Sequence, residues 1–440
     1  MMPLSDRETI YALASGVGRA AVAILRISGP DVSKIVAALA RKQPEPRRAM
    51  LTTFMDPVSR APIDRGLLLF FPAPASFTGE DYAECHVHGG PAIMAALLRA
   101  LATFPKTRPA QAGEFTRRAF ENGKLDLTEV EGLSDLIAAD TEAQRRQAFR
   151  QMQGELHRKA EGWRAALLQA QALLEAEIDF PDEGDVAPLA RKKLAGILAP
   201  VRAELELALQ VRSGERLRDG LVVVIAGPPN AGKSTLLNAL ARREAAIVSD
   251  IPGTTRDAIE VHLDVGGFPM TLIDTAGLRE SADRVEQIGI ARARTRAESA
   301  DLVLWLSEAA RPVAHRFGPG VEVWPILTKS DLYPRASGAE AMPLSAATGE
   351  NIDRLIERLS EFARGALGMG ESGLITRERH RRAFEAAAAA LKRAEQDLDG
   401  PIELLAEEIR AGVRALEILI GKIDVETVLG EIFARFCIGK

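Results

Sequence analysis

The chain has 440 residues, enough for about three domains or two large ones at roughly 150 residues each. A content of 47% hydrophobic and 27% charged residues excludes disorder of the whole chain, and a formal net charge of −5 argues against a uniformly basic surface that coats nucleic acid. Two cysteines without a CxxC pair, Cys85 and Cys437, exclude a disulfide framework and fit a reducing compartment. The opening MMPLSDRETIYALASG lacks the basic segment and apolar core of a secretory signal, and no uncharged apolar run is long enough to span a bilayer, so a cytoplasmic location is expected.

To about Glu121 the chain mixes strands with a few helices. Ala21–Ile27 and Gly66–Phe71 are apolar runs of strand length, and Ala92–Phe104 reads as a helix. Cys85, His86 and His88 lack the spacing of a zinc site and read as strand and turn residues. From Leu127 to Gln210 helix-forming Ala, Leu, Glu, Gln and Arg dominate, with a break at Phe180–Asp185. From Gly220 strands and helices alternate, as in α/β folds. Leu221–Ala226, Met270–Asp274, Asp301–Leu306 and Val321–Leu327 are the strand candidates, and Ala258–Val265 meets Met270–Asp274 across Gly266-Gly267 as a hairpin. After about Arg364 helix returns, including Ala383–Leu398. The pattern predicts a mixed α+β domain (1–121), a discontinuous all-α domain (122–219 and 365–440), and an α/β domain inserted between its halves (220–364).

The insert carries the chemistry. Gly227–Ser234 fits GxxxxGK[ST] between a predicted strand and a helix over Thr235–Ala241. Backbone N–H groups of Asn230, Ala231, Gly232 and Thr235 in such a loop surround phosphate oxygens. Lys233 supplies a cation to the β- and γ-phosphates and Ser234 a hydroxyl to Mg²⁺. Asp274-Thr275-Ala276-Gly277 follows the next strand, where a second carboxylate and a glycine sensing the γ-phosphate belong. Gly253-Thr254-Thr255-Arg256-Asp257 offers a threonine to complete the Mg²⁺ shell. Thr328-Lys329-Ser330-Asp331 ends a strand, and a carboxylate there accepts from both guanine N1–H and the exocyclic amine, which adenine cannot offer. Ser345-Ala346-Ala347 follows the next strand and offers backbone N–H to guanine O6. Five elements in this order predict a Ras-like P-loop domain that binds GTP and Mg²⁺. Two features depart from common forms. Thr328 stands where the guanine motif usually begins with Asn, and Leu278 stands where Ras-type proteins carry a water-orienting Gln. Glu280, Asp283 and Glu286 are the carboxylates just downstream, and Asn230 is a candidate ligand for a monovalent cation in place of the missing positive charge.

The whole chain resembles the tRNA modification GTPase family MnmE (TrmE). The resemblance rests on Leu25–Gly29 (LRISG), Phe77–Asp81 (FTGED), His88-Gly89-Gly90, Gly113–Phe120 (GEFTRRAF), Asn122–Leu127 (NGKLDL), Asp274–Glu280 (DTAGLRE), Ile288–Ile290 and the ending Phe436–Lys440 (FCIGK). It implies an N-terminal tetrahydrofolate-binding domain that forms a homodimer, a helical domain and an inserted G domain. It implies a partner, the flavoprotein MnmG (GidA), in a heterotetramer. The pair would install an aminomethyl or carboxymethylaminomethyl group at C5 of the wobble uridine (position 34) of certain tRNAs, using a one-carbon unit from 5-formyl- or methylene-tetrahydrofolate. By position, Asn230, Ser249, Ile251 and Thr254 would hold K⁺, with G domains meeting in the GTP transition state. Ser249 stands where the family often has Thr. Ser234 and Thr255 would hold Mg²⁺, Glu286 would orient the water, and Arg26, Glu84, Lys124 and Lys440 would bind folate, with Cys437 as a chemical participant.

A non-catalytic alternative is an RNA-binding ribosome-assembly or regulatory switch GTPase. It calls for an RNA module such as a KH domain with its GXXG loop, and no such module is recognisable in the sequence. Basic residues do gather at Arg145-Arg146, Arg150 and Arg377–Arg382, either on RNA phosphates or as solvated helix faces.

Overall fold

The computed structural model describes residues 8–16, 18–179, 186–243, 246–247, 259–274, 300–313, 321–333, 341–368, 373–423, 426–434, 436 and 439. These fall into two compact units. The first takes in the chain up to Ser134, Met152–Arg164 and the chain from Leu416 on; the second takes in Asp135–Gln151 and Ala165–Ala415.

The first unit is built on a six-stranded sheet. Its strands are β1 (Thr9–Leu13), β2 (Ala20–Ser28), β3 (Met50–Met55), β4 (Pro62–Phe71), β5 (Tyr82–Gly89) and β6 (Thr107–Pro109), in the order β3-β4-β5-β2-β1-β6. All neighbours are antiparallel except β1 and β6. Period-two alternation decides its faces. Ala23, Leu25 and Ile27 on β2 and Cys85 and Val87 on β5 point into a core with Phe54, Leu68 and the helices Val32–Ala40 and Pro91–Ala102. Arg26 and Glu84 alternate to the other side and stand directly opposite in register. The predicted Ala92–Phe104 helix starts one residue earlier because Pro91 suits the first helical position.

A second core of this unit joins Leu127 and Val130 to Leu429, Ile432, Phe433 and Phe436, so the last described residues pack back onto the helix Leu127–Ile137. Residues that carried the family resemblance meet here in a buried ion network. Arg118 Nη1 donates to Glu80 Oε2 at 3.0 Å and Arg118 Nη2 to Glu114 Oε1 at 3.0 Å, while Ser28 Oγ donates to Glu80 Oε2 at 2.8 Å. Asn122 Nδ2 donates to Thr78 O at 2.6 Å, tying NGK to FTGED. Breaking such a buried pair from one side leaves an uncompensated charge.

The second unit holds a seven-stranded sheet: β7 (Leu221–Ala226), β8 (Ala246–Ile247), β9 (Ile259–Val265), β10 (Phe268–Asp274), β11 (Leu302–Glu308), β12 (Glu322–Thr328) and β13 (Met342–Leu344). The order is β13-β12-β11-β7-β10-β9-β8. β7 and β10–β13 run parallel, and β9 pairs antiparallel with β10 through the expected Gly266-Gly267 turn. β10 begins two residues earlier than its apolar run because Phe268 and Pro269 pair with Val265 and Asp264 in that hairpin. Asp301 stays outside β11, since its carboxylate accepts from Val222 N at 2.9 Å. As parallel central strands require, Val223, Ile225, Leu302, Leu304, Leu306 and Ile326 are fully buried.

Helices make up the rest. Val186–Gln210, which carries Pro200 inside it, packs along Glu378–Gln396, and Arg202 Nε bonds Glu395 at 2.9 Å. The chain enters the α/β region through Ser213–Asp219 and leaves it before Thr376. A Cβ at Gly214 would come within 2.4 Å of Ile375 O, so only glycine permits this approach of the two connections. Arg381 reinforces it, donating to Glu215 at 2.6 Å and to Leu209 O at 3.0 Å.

Candidate functional site

In the parallel sheet, Ala226, Asp274, Thr328 and Leu344 are the last residues of β7, β10, β12 and β13. The register aligns Ile225 with Asp274 and Thr328 with Leu344. The four predicted motifs therefore leave the sheet at its carboxyl ends, where open α/β sheets bind ligands.

Gly227 makes the first turn of the phosphate loop. Its φ is 152°, and a Cβ there would lie 2.2 Å from Leu306 O. Asn230 is exposed and left-handed, with φ 62°, a conformation that Asn tolerates better than most residues. The helix spans Lys233–Arg243, earlier than the predicted Thr235, because the motif's own Lys233 and Ser234 form its first turn. Lys233 is buried, and its Nζ donates to Gly227 O at 2.9 Å and Pro228 O at 3.0 Å. Burial lowers its pKa and the nearby Asp274 opposes that shift. Anionic phosphate oxygens are stronger acceptors than either carbonyl. Ser234 Oγ donates to Asp274 Oδ2 at 2.7 Å, with Asp274 only 1% exposed. A hydroxyl and a carboxylate in contact are the hard oxygen donors that Mg²⁺ takes alongside nucleotide phosphates.

The loops after β12 and β13 are firmly held. Thr328 Oγ1 is 2.8 Å from Ala231 O and 3.2 Å from Ser307 O, so the threonine ties the guanine-motif strand to the phosphate loop with a hydroxyl where Asn is usual. Lys329 pairs with Glu308 and has φ 60°. Ser330 donates its N–H to Leu344 O at 3.3 Å and its hydroxyl to Glu350 at 2.7 Å, leaving the next residue, Asp331, exposed. Ser345 is buried and donates its N–H to Glu350 O at 3.1 Å, so of the three N–H groups expected at guanine O6 this one is already taken; Ala346 is partly exposed and Ala347 exposed. Ser249, Ile251, Thr254, Thr255, Thr275, Ala276, Gly277, Leu278, Glu280, Asp283, Glu286, Cys437 and Lys440 lie outside the described residues.

The first unit carries a cleft on the sheet face opposite the helices Val32–Ala40 and Pro91–Ala102. The cleft, of about 330 Å³, is lined by Arg26, Glu84, Tyr82, Phe71, Phe77 and Thr116, among others. Arg26 Nε donates to Glu84 Oε1 at 3.2 Å, and Arg26 Nη1 donates to Gly439 O at 3.2 Å, which brings the end of the chain to this cleft. Burial opposes ionisation of Glu84. Hydrogen bonds with His86 at 3.1 Å and Tyr82 at 2.9 Å and the charge of Arg26 outweigh it, holding the carboxyl below its usual range. Lys124 is exposed beside Gly79, where a Cβ would meet its Cε at 3.2 Å. Burial pushes the Cys85 thiol up to about 12, so it is an inert core residue. The aromatic walls Phe71, Phe77 and Tyr82 were missed from sequence; the signal that could have found one of them is the alternation over β5, which puts Tyr82 and Glu84 on one face. No group of His, Cys, Asp and Glu suited to a metal occurs among the described residues, and none of their helices is long and apolar enough to cross a membrane.

The fold and the phosphate-loop geometry define a P-loop G domain carried within a larger chain. Two family models match: "GTP-binding protein TrmE N-terminus" over residues 9–124 and "MnmE helical domain" over residues 127–437. Among curated relatives, the tRNA modification GTPase MnmE of Beijerinckia indica is 59% identical over 434 residues, covering 98% of this chain and 96% of that one. That of a Rhodopseudomonas palustris strain is 53% identical over 443 residues, covering 98% and 99%. The chain belongs to the MnmE (TrmE) tRNA modification GTPase family. Among solved structures, the G domain of the T. maritima FeoB iron transporter is similar at 26% identity and a TM-score of 0.24, covering 32% of this chain and 98% of that one.

Proposed function

We propose that this chain is the GTP-hydrolysing component of a tRNA-modifying complex. It acts with the flavoprotein MnmG to add an aminomethyl or carboxymethylaminomethyl group to C5 of uridine 34, taking the one-carbon unit from 5-formyl- or methylene-tetrahydrofolate. The observation that carries this reading is the contact of Ser234 with Asp274 at the sheet end that also presents Asp331, in a chain matched along nearly its whole length by tRNA modification GTPases. Three domains divide the work: residues 1–121 bind folate and dimerise, 122–219 with 365–440 form the helical domain, and 220–364 the G domain. The complex is a cytoplasmic heterotetramer.

In the G domain the loop N–H groups and Lys233 take the phosphates, while Ser234 and Thr255 hold Mg²⁺, which neutralises phosphate charge when bound. Asp331 and the N–H groups of Ala346 and Ala347 read guanine, that of Ser345 being held by Glu350 O. Asn230, Ser249, Ile251 and Thr254 hold K⁺ when two G domains meet. Glu286 orients the attacking water in place of Leu278. Glu286→Ala is expected to cut single-turnover hydrolysis severely at nearly unchanged GTP affinity, because the group acts on the transition state. Normal single-turnover rates in that variant would exclude the role.

The cleft of the first unit suits a folate: a cation for the glutamyl tail, a carboxylate for pterin N–H groups, and aromatic walls. Arg26, Glu84, Lys124 and Lys440 bind it, and Cys437 takes part in the chemistry. Truncation after Arg435 removes Phe436 from its apolar cluster and Gly439 O from Arg26. The truncated chain is expected to hydrolyse GTP in potassium, since the nucleotide residues lie in 227–347, and to lose uridine modification. Mass spectrometry of wobble uridines from cells carrying only the truncated chain tests this, with cells lacking the chain as reference. Normal modification in either strain contradicts the reading it tests.

A further inference from the structure

The two arginine-rich stretches of the sequence have different fates. In the later one, Arg377 bonds Asp135 at 2.6 Å, Arg381 bonds Glu215 at 2.6 Å and Arg382 bonds Glu378 at 3.1 Å. Arg377 and Arg381 are mostly buried in these pairs and serve the fold, whereas the Arg382 pair is exposed. The earlier one opens onto a cleft of about 400 Å³. Arg145, Arg146 and Arg150 line it together with Arg364, Phe149 and Phe268, and no Asp or Glu is among its described lining residues.

Arg146, Phe149 and Arg150 stand at i, i+3 and i+4 on the helix Glu142–Met152 and so share one face. Arg364 comes from the last turn of the helix Ile352–Leu367, where the helix dipole favours a cation. Arg145 and Arg146 both bond Glu142, and Arg150 also has a partner; at 51%, 72% and 48% side-chain exposure the two Glu142 pairs hold weakly and yield to a competing phosphate. Phe149 is 39% exposed amid the guanidinium groups. Alternating cations and an exposed ring match a nucleic acid strand, whose phosphates take the arginines and whose unpaired bases stack on the ring. An acidic peptide would satisfy the arginines and leave the ring without a flat partner.

We propose that this cleft binds a single-stranded segment of the tRNA, with Arg146, Arg150 and Arg364 on backbone phosphates and Phe149 stacked on an unpaired base. The proposal rests on tRNA being the substrate.

The test is binding of unmodified tRNA to the full-length chain between 50 and 200 mM salt. Each phosphate contact to a single strand contributes about 0.7 to the slope of log K against log salt. The triple variant Arg146→Gln/Arg150→Gln/Arg364→Gln is therefore expected to flatten that slope by about 2. Phe149→Ala is expected to weaken binding roughly ten-fold with the slope unchanged, and Phe149→Tyr to restore it. An unchanged slope in the triple variant, with tRNA still bound, overturns the cleft assignment and leaves the tRNA reading intact. Wild-type chain that shows no salt-dependent tRNA binding overturns both. Displacement of tRNA by polyglutamate as readily as by single-stranded RNA assigns the cleft to an acidic protein instead.

Discussion

GTP hydrolysis by this chain is expected to run roughly 10³–10⁵-fold faster in potassium than in sodium at equal ionic strength, the range that a positive charge at the transferring phosphoryl group supplies. The demand for that charge comes from the sequence. Leu278 cannot hydrogen-bond a water, and no arginine stands at the obvious place in the phosphate loop. The loop instead presents Asn230, exposed and left-handed at φ 62°, close to the glycine and lysine of the GK[ST] motif. Sodium is smaller and more firmly hydrated, so a ring of amide, carbonyl and hydroxyl oxygens sized for potassium strips it poorly. Asn230→Gly separates the ligand from the backbone, because glycine accepts the same φ without strain. This variant is expected to lose potassium stimulation while keeping GDP affinity within a few-fold. Stopped-flow hydrolysis in the two salts decides the matter, and equal wild-type rates would refute a potassium site.

Asp331→Asn is expected to weaken GTP binding by about 10²–10⁴-fold and to bring in xanthosine triphosphate. Two hydrogen bonds to a charged carboxylate are lost, at about 1.5–3 kcal/mol each. The Asn amide also turns a donor toward a guanine donor, whereas the xanthine C2 oxygen accepts from it. The effect should be confined to the base. Ser330 fixes the loop through Leu344 O and Glu350, and Thr328 fixes its strand to Ala231 O; neither depends on the charge of Asp331. Competition binding with the two nucleotides measures the switch. A variant that still prefers GTP would mean that the base is read elsewhere.

The sequence by itself determined the kind of nucleotide site, because its chemistry is local. A phosphate loop needs glycines and a lysine at fixed spacing beside a strand, and the run Leu221–Ala226 before Gly227 is both strand and motif in the structure. Hairpin β9–β10 was equally legible, since its turn lies between two alternating segments. Strand ends were read less well where a neighbour decides them, as when pairing with Val265 draws Phe268 into β10 or a bond to Val222 holds Asp301 out of β11. Contacts between distant residues were legible only in outline. The guanine motif suggests that Thr328 ties its strand to the phosphate loop, and the resemblance sets the end of the chain near Arg26, but the acceptors, Ala231 O 97 positions earlier and Gly439 O 413 positions away, come from the tertiary structure. The two arginine runs show the limit most clearly. Both read as basic helix faces, yet folding places Asp135 and Glu215 against Arg377 and Arg381 and sets Arg364 beside Arg146 and Arg150. Whether an arginine's ion pair is buried within the fold or stays exposed beside a cleft depends on which elements the fold packs around it, and the tertiary structure alone decides that.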